Sequence, residues 1–155
     1  MTPILYLFII ILLTCLDQYS KFLIIQNINP GDRIVLIPDF FSITHTKNYG
    51  AGFSILQNAT VFLSAVSILA ICILAYLLLH EKKLSLASRT AYLLIISGAA
   101  GNLIDRLLKS YVTDFLDFLI FGYDFPVFNV ADSFITVGCF LLIIELLLES
   151  KNAAD

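Results

Sequence analysis

Five of the chain's aspartates stand at the edges of apolar stretches: Asp17, Asp105, Asp114, Asp117 and Asp132. Lys21, Lys47, Arg106 and Lys109 accompany them and offset their charge. Two carboxylates brought within about 3 Å of each other cannot both ionise easily, so they share a proton. One then acts as a base toward water while the other, protonated, polarises a carbonyl. Such a pair hydrolyses peptides without a metal or a side-chain nucleophile. Spacing alone does not say which two of these acids pair.

The neighbouring polar residues recur at helical spacing. "DQYSK" sets Asp17 and Lys21 four residues apart, on one helix face, with the acid N-terminal to the base. "GAAGNLIDR" (98–106) closes a run of small and apolar residues with Asn102, Asp105 and Arg106, on a face shared with Gly98 and near Gly101. Small residues let another helix or a substrate backbone come close. Taken alone, that stretch reads as a packing seam closed by an Asp105–Arg106 bridge. "NYGAGFS" (48–54) supplies Asn48, and "FNVAD" (128–132) supplies Asn129 beside Asp132.

Other chemistries have less support. "HEKK" at 80–83 lacks the second histidine of a zinc-protease helix, and the one other histidine, His45, reads as a surface or ribbon residue. There is no G-x-S-x-G elbow, and no spacing supports a pairing of Ser20 or Ser54 with Lys21. Cys15, Cys72 and Cys139 fit no metal or disulfide framework and read as small buried hydrophobes. Neither a metal nor another cofactor is expected.

What must position these acids is a membrane bundle. The chain is 59% hydrophobic and 14% charged, with a mean hydropathy of +0.93, whereas a soluble domain is roughly 45–50% apolar and about 25% charged. So little polar surface cannot cover a water-soluble globule. Net charge is −3, without a basic block, which gives nucleic acid no electrostatic footing. Four stretches have the roughly 20 apolar residues a spanning helix needs: about 4–25, 59–79, 90–108 and 129–148. "LLTC" in the first loosely resembles a lipoprotein signal, but no basic residue precedes it and three spans follow, so it reads as a retained helix.

Lys82, Lys83 and Arg89 between spans two and three, with Lys151 in the tail, place that loop and both termini in the cytoplasm. In an up-down-up-down bundle the polar motifs then gather at the opposite, extracytoplasmic end. An ionisable group in a span costs roughly a few kcal/mol at mid-membrane, so each must face the bundle or water and find a partner. The external segments are 28–57 and 109–127. Within the first, "NPGD" followed by "RIVLIPDFFSITHTK" predicts a short twisted β-ribbon on the membrane. "YVTDFLDFLIF" (111–121) is too short to span and is expected to lie at the interface or re-enter. The fold class is therefore an all-α membrane protein of four spans, in a single domain over 1–155, with a small extracytoplasmic β-ribbon.

In order, "DQYSK", "NYGAGFS", "GNLIDR", "VTDFLDF" and "FNVAD" resemble the motifs of the lipoprotein signal peptidases, or signal peptidase II, over nearly the whole chain. The resemblance implies an aspartic endopeptidase of the bacterial cytoplasmic membrane that cuts prolipoproteins before a diacylglyceryl-modified cysteine. Its partners would be those lipidated substrates and membrane lipids. By the same resemblance Asp114 and Asp132 would be the catalytic dyad. Asn48, Asn102, Arg106 and Asn129 would bind substrate and order the dyad, and Asp17, Lys21 and Asp105 would support them. Two residues depart from the family pattern: Gly52 stands where alanine is common and Thr113 where valine is usual.

Two rival readings use the same acids. A small proton-coupled transporter or channel would show repeats and acids across the bilayer, whereas here no repeat is visible and the acids sit at one interface. A non-enzymatic assembly subunit would tolerate carboxylate-to-amide changes.

Overall fold

The computed structural model describes residues 2–50, 59–81 and 83–152, with side chains described as far as residue 148. Residues 51–58, including Gly52 and Ser54 of the "NYGAGFS" motif, lie outside the described residues, as do Lys82 and the Lys151 side chain.

Each apolar stretch forms a helix: α1 (Pro3–Asn27), α2 (Thr60–His80), α3 (Leu86–Lys109) and α4 (Val130–Asn152). Among the described residues these four are long and apolar enough to cross a membrane. A helix satisfies its backbone internally, which a hydrocarbon surrounding demands. Local signals mark the ends. Thr2 caps α1 with Pro3 in its first turn, Ser85 accepts from the Ser88 N–H at the start of α3, and Ser110 ends α3 in the left-handed region at φ 66°.

Helix α3 is the hub. It packs against α1, α2 and α4, and half of its spanning window is buried, against less than a fifth in each of the others. Glycine permits this at two positions. A Cβ on Gly98 would stand 2.3 Å from the Ala131 carbonyl oxygen, and one on Gly101 would stand 2.4 Å from an Asp17 carboxylate oxygen. The three cysteines, expected inside, are exposed on the outer faces of the helices. In a membrane bundle apolar character does not select the interior, because lipid receives such side chains equally well.

The ribbon is part of a four-stranded antiparallel sheet in the order β1-β2-β3-β4, comprising β1 (Arg33–Ile37), β2 (Phe41–Asn48), β3 (Val112–Ile120) and β4 (Tyr123–Asp124). Segment 111–121 holds β3, hydrogen-bonded to β2, so it is a strand of this sheet. Its start is buried on both faces, so it lacks the alternation that would mark a half-buried strand. Ile24, Ile28 and Phe115, with Ile43, Leu116 and Val130 against them, pin the sheet to the ends of α1 and α4. His45 belongs to β2 but is buried rather than on the surface, its Nδ1 donating to the Ile28 carbonyl at 2.7 Å. That bond ties the sheet to the end of α1.

Candidate active site

The site begins at the first turn of α4. The Asn129 side-chain oxygen accepts from the Asp132 N–H at 2.9 Å, and an Asp132 carboxylate oxygen accepts from the Asn129 N–H at 3.2 Å. This is a reciprocal capping box, with aspartate taking the place of the usual Glu or Gln three residues into the helix. Asp17, reaching over from α1, accepts from the Ala131 N–H at 2.9 Å. Helix ends leave such donors unsatisfied. Here they fix the Asp132 side chain instead.

Asp114 comes from β3 and meets this turn. Its Oδ1 accepts from the Asn129 amide at 2.6 Å and its Oδ2 from the Asn48 amide at 2.9 Å. Neither amide is free to turn over. The Asn129 oxygen is engaged by the Asp132 N–H, and the Asn48 oxygen accepts from the Gly50 N–H at 2.8 Å. Both therefore present N–H groups to Asp114. Burial pushes the Asp114 carboxyl up to about 7; Asp132 adds to the rise, while the two amides and Lys21 oppose it.

A third amide and a buried ion cluster stand behind the acids. Asn102 donates to Asp132 Oδ1 at 2.7 Å, while its oxygen accepts from Lys21 at 2.8 Å and from Asn129 at 3.3 Å. Lys21 pairs with Asp17 at 2.9 Å and lies 3.7 Å from Asp105; all three side chains are fully buried. The bridge between Asp105 and Arg106 expected from "NLIDR" is not formed. Adjacent helix residues diverge, so Asp105 instead binds Lys109 one turn on, at 2.9 Å, and accepts from the Thr113 N–H at 2.9 Å. Arg106 turns the other way and donates to the Gly50 carbonyl at 3.2 Å. The i,i+4 spacing of Asp105 and Lys109 is the sequence signal for that partner.

The structure thus brings Asn48, Asn102, Asn129, Asp114 and Asp132 into one network, with Asp17, Lys21 and Asp105 directly behind. Arg106 and Asp132 are the charged residues lining a cleft of about 650 Å³. Leu63 and Val66 of α2 face Ile135 and Val137 of α4 across its otherwise largely apolar walls. Asp117 does not join them. It pairs with Arg33 of β1 in a separate hollow on the sheet. Two acids from different elements, oriented by amides, with Asp132 lining an apolar cleft and Asp114 buried behind it, can hold and exchange a proton beside a substrate seated in that cleft.

A family model described as signal peptidase (SPase) II matches residues 9–148. The chain is similar to the lipoprotein signal peptidase of Staphylococcus aureus, 40% identical over 139 residues covering 90% of this chain and 85% of the relative. The fold is similar to that of two bacterial membrane enzymes solved by the in meso method. The one at 2.3 Å resolution has a TM-score of 0.89 at 38% identity, covering 95% of this chain and 90% of the other. The one at 1.9 Å has a TM-score of 0.82 at 39% identity, covering 92% of each.

Proposed function

The chain belongs to the signal peptidase II family, and we propose that it removes signal peptides from prolipoproteins with Asp114 and Asp132 as an aspartic dyad. The observation that carries this reading is the Asn129 side chain, which holds Asp114 through its amide while its oxygen accepts the Asp132 N–H. One residue thereby fixes acids from a strand and a helix as a unit. With one proton between them, one carboxylate takes a proton from the attacking water while the other donates to the scissile carbonyl. The tetrahedral intermediate collapses when a proton returns to the leaving amine. Asn48, Asn102 and Asn129 keep the carboxylate planes fixed, and Arg106 and the cleft walls receive the substrate. Asp17, Lys21 and Asp105 act from behind as an ion cluster.

The whole chain would act as one membrane domain, with the α2–α3 connection that carries Lys83, the adjoining Arg89 of α3 and both termini cytoplasmic. The sheet and dyad would then sit at the extracytoplasmic surface of a bacterial cytoplasmic membrane. A diacylglyceryl-modified cysteine keeps its chains among the lipids, which brings the bond before it to this depth. The transport reading has no support from the family or from the gathering of the acids at one end.

Cleavage of a synthetic prolipoprotein by the purified protein, with and without the diacylglyceryl group, tests the proposal. We expect turnover of the lipidated form, release of the free signal peptide, and little cleavage of the unlipidated one. Equal cleavage of both would remove the lipid from the reading, and no cleavage of either would overturn the reading altogether.

A further inference from the structure

We propose that Lys109 is a positioning residue for cleavage: its ammonium group, held between Asp105 and Thr113, locks the turn that sets where Asp114 stands. The inference rests on the reading of Asp114 as catalytic. Helix α3 ends at Lys109, Ser110 turns in the left-handed region, and β3 begins at Val112. Little chain therefore separates the hub helix from Asp114. What holds the turn is a ring of bonds. Lys109 Nζ donates to Asp105 Oδ1 at 2.9 Å and lies 3.5 Å from Thr113 Oγ1, and the Thr113 N–H donates to Asp105 Oδ2 at 2.9 Å. Asp105 and Thr113 are fully buried, while the Lys109 side chain is 26% exposed.

Each carboxylate oxygen of Asp105 has a separate task. Lys109 on Oδ1 keeps the group from rotating, so Oδ2 stays on the Thr113 N–H, one residue before Asp114. Lys21 is no substitute, since Asp17 and Asn102 hold it at 2.9 and 2.8 Å and it stands 3.7 Å from Asp105. A valine at position 113 would have no oxygen to offer Lys109. Asp105, Lys109 and Thr113 thus form a clasp around the turn.

Positioning errors of about an ångström far from the reacting atoms can cost up to roughly a hundredfold in rate. Lys109→Met, which keeps the apolar stem, is expected to lower kcat about tenfold with KM within about twofold of wild type. Thr113→Val is expected to lower kcat about twofold, and Thr113→Ser to restore it. The double variant should be no worse than Lys109→Met, because the hydroxyl acts through the ammonium. The pH profile supplies a readout that a mere loss of folded protein would not move. A looser Asp114 loses part of its bonds to Asn48 and Asn129, which hold its titration down. The alkaline limb of kcat should therefore shift upward in Thr113→Val, which keeps every charge. Multiplying effects in the double variant, a change in KM alone, or an unmoved limb would each overturn the clasp. Asp114→Asn measured in parallel separates the two readings. If it cleaves normally, the dyad assignment fails; if it is inert while Lys109→Met matches wild type, the clasp alone fails.

Discussion

The two ends of the bundle solve the same packing problem with different chemistry. At the sheet end, Asp17, Lys21, Asp105 and Asn129 are wholly enclosed and bonded across α1, α3 and α4. At the far end Tyr6, Leu78, Leu93 and Ile96 form an apolar cluster. A few part-buried bonds border it: Arg89 to the Tyr6 hydroxyl and the Leu84 carbonyl, and Ser88 to Glu145. Enclosing charges is expensive, and well-packed apolar residues of similar size often serve stability as well or better. The far end shows that this bundle closes without such charges. On the proposed reading, the ion cluster and amides of the sheet end are explained by what they hold in place, the two acids, rather than by what the fold needs.

The sharpest way to break that comparison is to remove the two acids of the proposed dyad. Asp114→Asn and Asp132→Asn should each lower turnover about a thousandfold or more, and the double variant should be no worse, because the pair acts as a unit. The amide is not an innocent replacement. Asn48, Asn102 and Asn129 present donors to these carboxylates, so a new NH₂ meets an N–H and stability falls by roughly 1–3 kcal/mol. Rates must be compared at matched folded concentration. Asp117→Asn, whose partner is Arg33, should cleave nearly as well as wild type. Robust turnover by either dyad variant would leave the sheet end without its explanation.

The next effect is on pH. Asp114 moves from an ordinary value of 3.8 to about 7 through burial and its neighbour Asp132. A raised carboxyl favours the folded state fully below its unfolded value, and that contribution is lost as pH rises through the folded one. The difference is on the order of 4 kcal/mol. Thermal melts in detergent should thus lose stability between about pH 4 and pH 7, and Asp114→Asn should flatten that slope. Cleavage should fall above about pH 7, by up to tenfold per unit, as the proposed dyad loses its shared proton. A wild-type melting temperature flat across this range would contradict the buried acid.

Much of the sheet end was legible because its residues carry their own geometry. Asp17 and Lys21 announce a shared face, and "FNVAD" places an amide and an acid at a helix start. Spacing alone leaves five candidate acids, and the proposal of Asp114 and Asp132 among them rests on the motif resemblance. What escaped depended on partners distant in sequence. Strand β3 carries acids and is covered on both faces at its start, so no alternation marked it. His45 is buried because the end of α1 covers it, which no local pattern states. Cysteine burial was misjudged because hydrophobicity ceases to mean interior once lipid is the solvent.

Glycine offers a finer test, since the α3–α4 seam runs between both ends. At Gly98 a Cβ would meet the Ala131 carbonyl, and at Gly138 it would meet the Ala91 carbonyl at 2.8 Å and an Ile95 side-chain carbon at 2.6 Å. Gly98→Ala and Gly138→Ala should each destabilise by about 1–3 kcal/mol through overpacking. Only Gly98→Ala displaces the capping turn that carries Asp132. Turnover per folded molecule should drop for Gly98→Ala and hold for Gly138→Ala. Equal losses would mean that the seam moves as one body and that the ends are not separable.

The smallest effects belong to the far end. Tyr6→Phe removes the hydroxyl that accepts from Arg89, but the guanidinium keeps its bond to the Leu84 carbonyl at 3.1 Å. The phenyl ring still fills its place against Leu78, Leu93 and Ile96. Ser88→Ala deletes the bond to Glu145, whose carboxylate is half-exposed and can turn to water. Each change should cost about 1 kcal/mol or less in stability, and kcat should stay within about twofold of wild type. Thermal melts and single-turnover cleavage at matched folded concentration check both numbers. A tenfold loss of kcat in Tyr6→Phe without loss of folded protein would show that strain at the far end travels along α3 to Asn102 and Asp105. The two ends would then be one coupled machine, and the division between packing and chemistry would have to be abandoned.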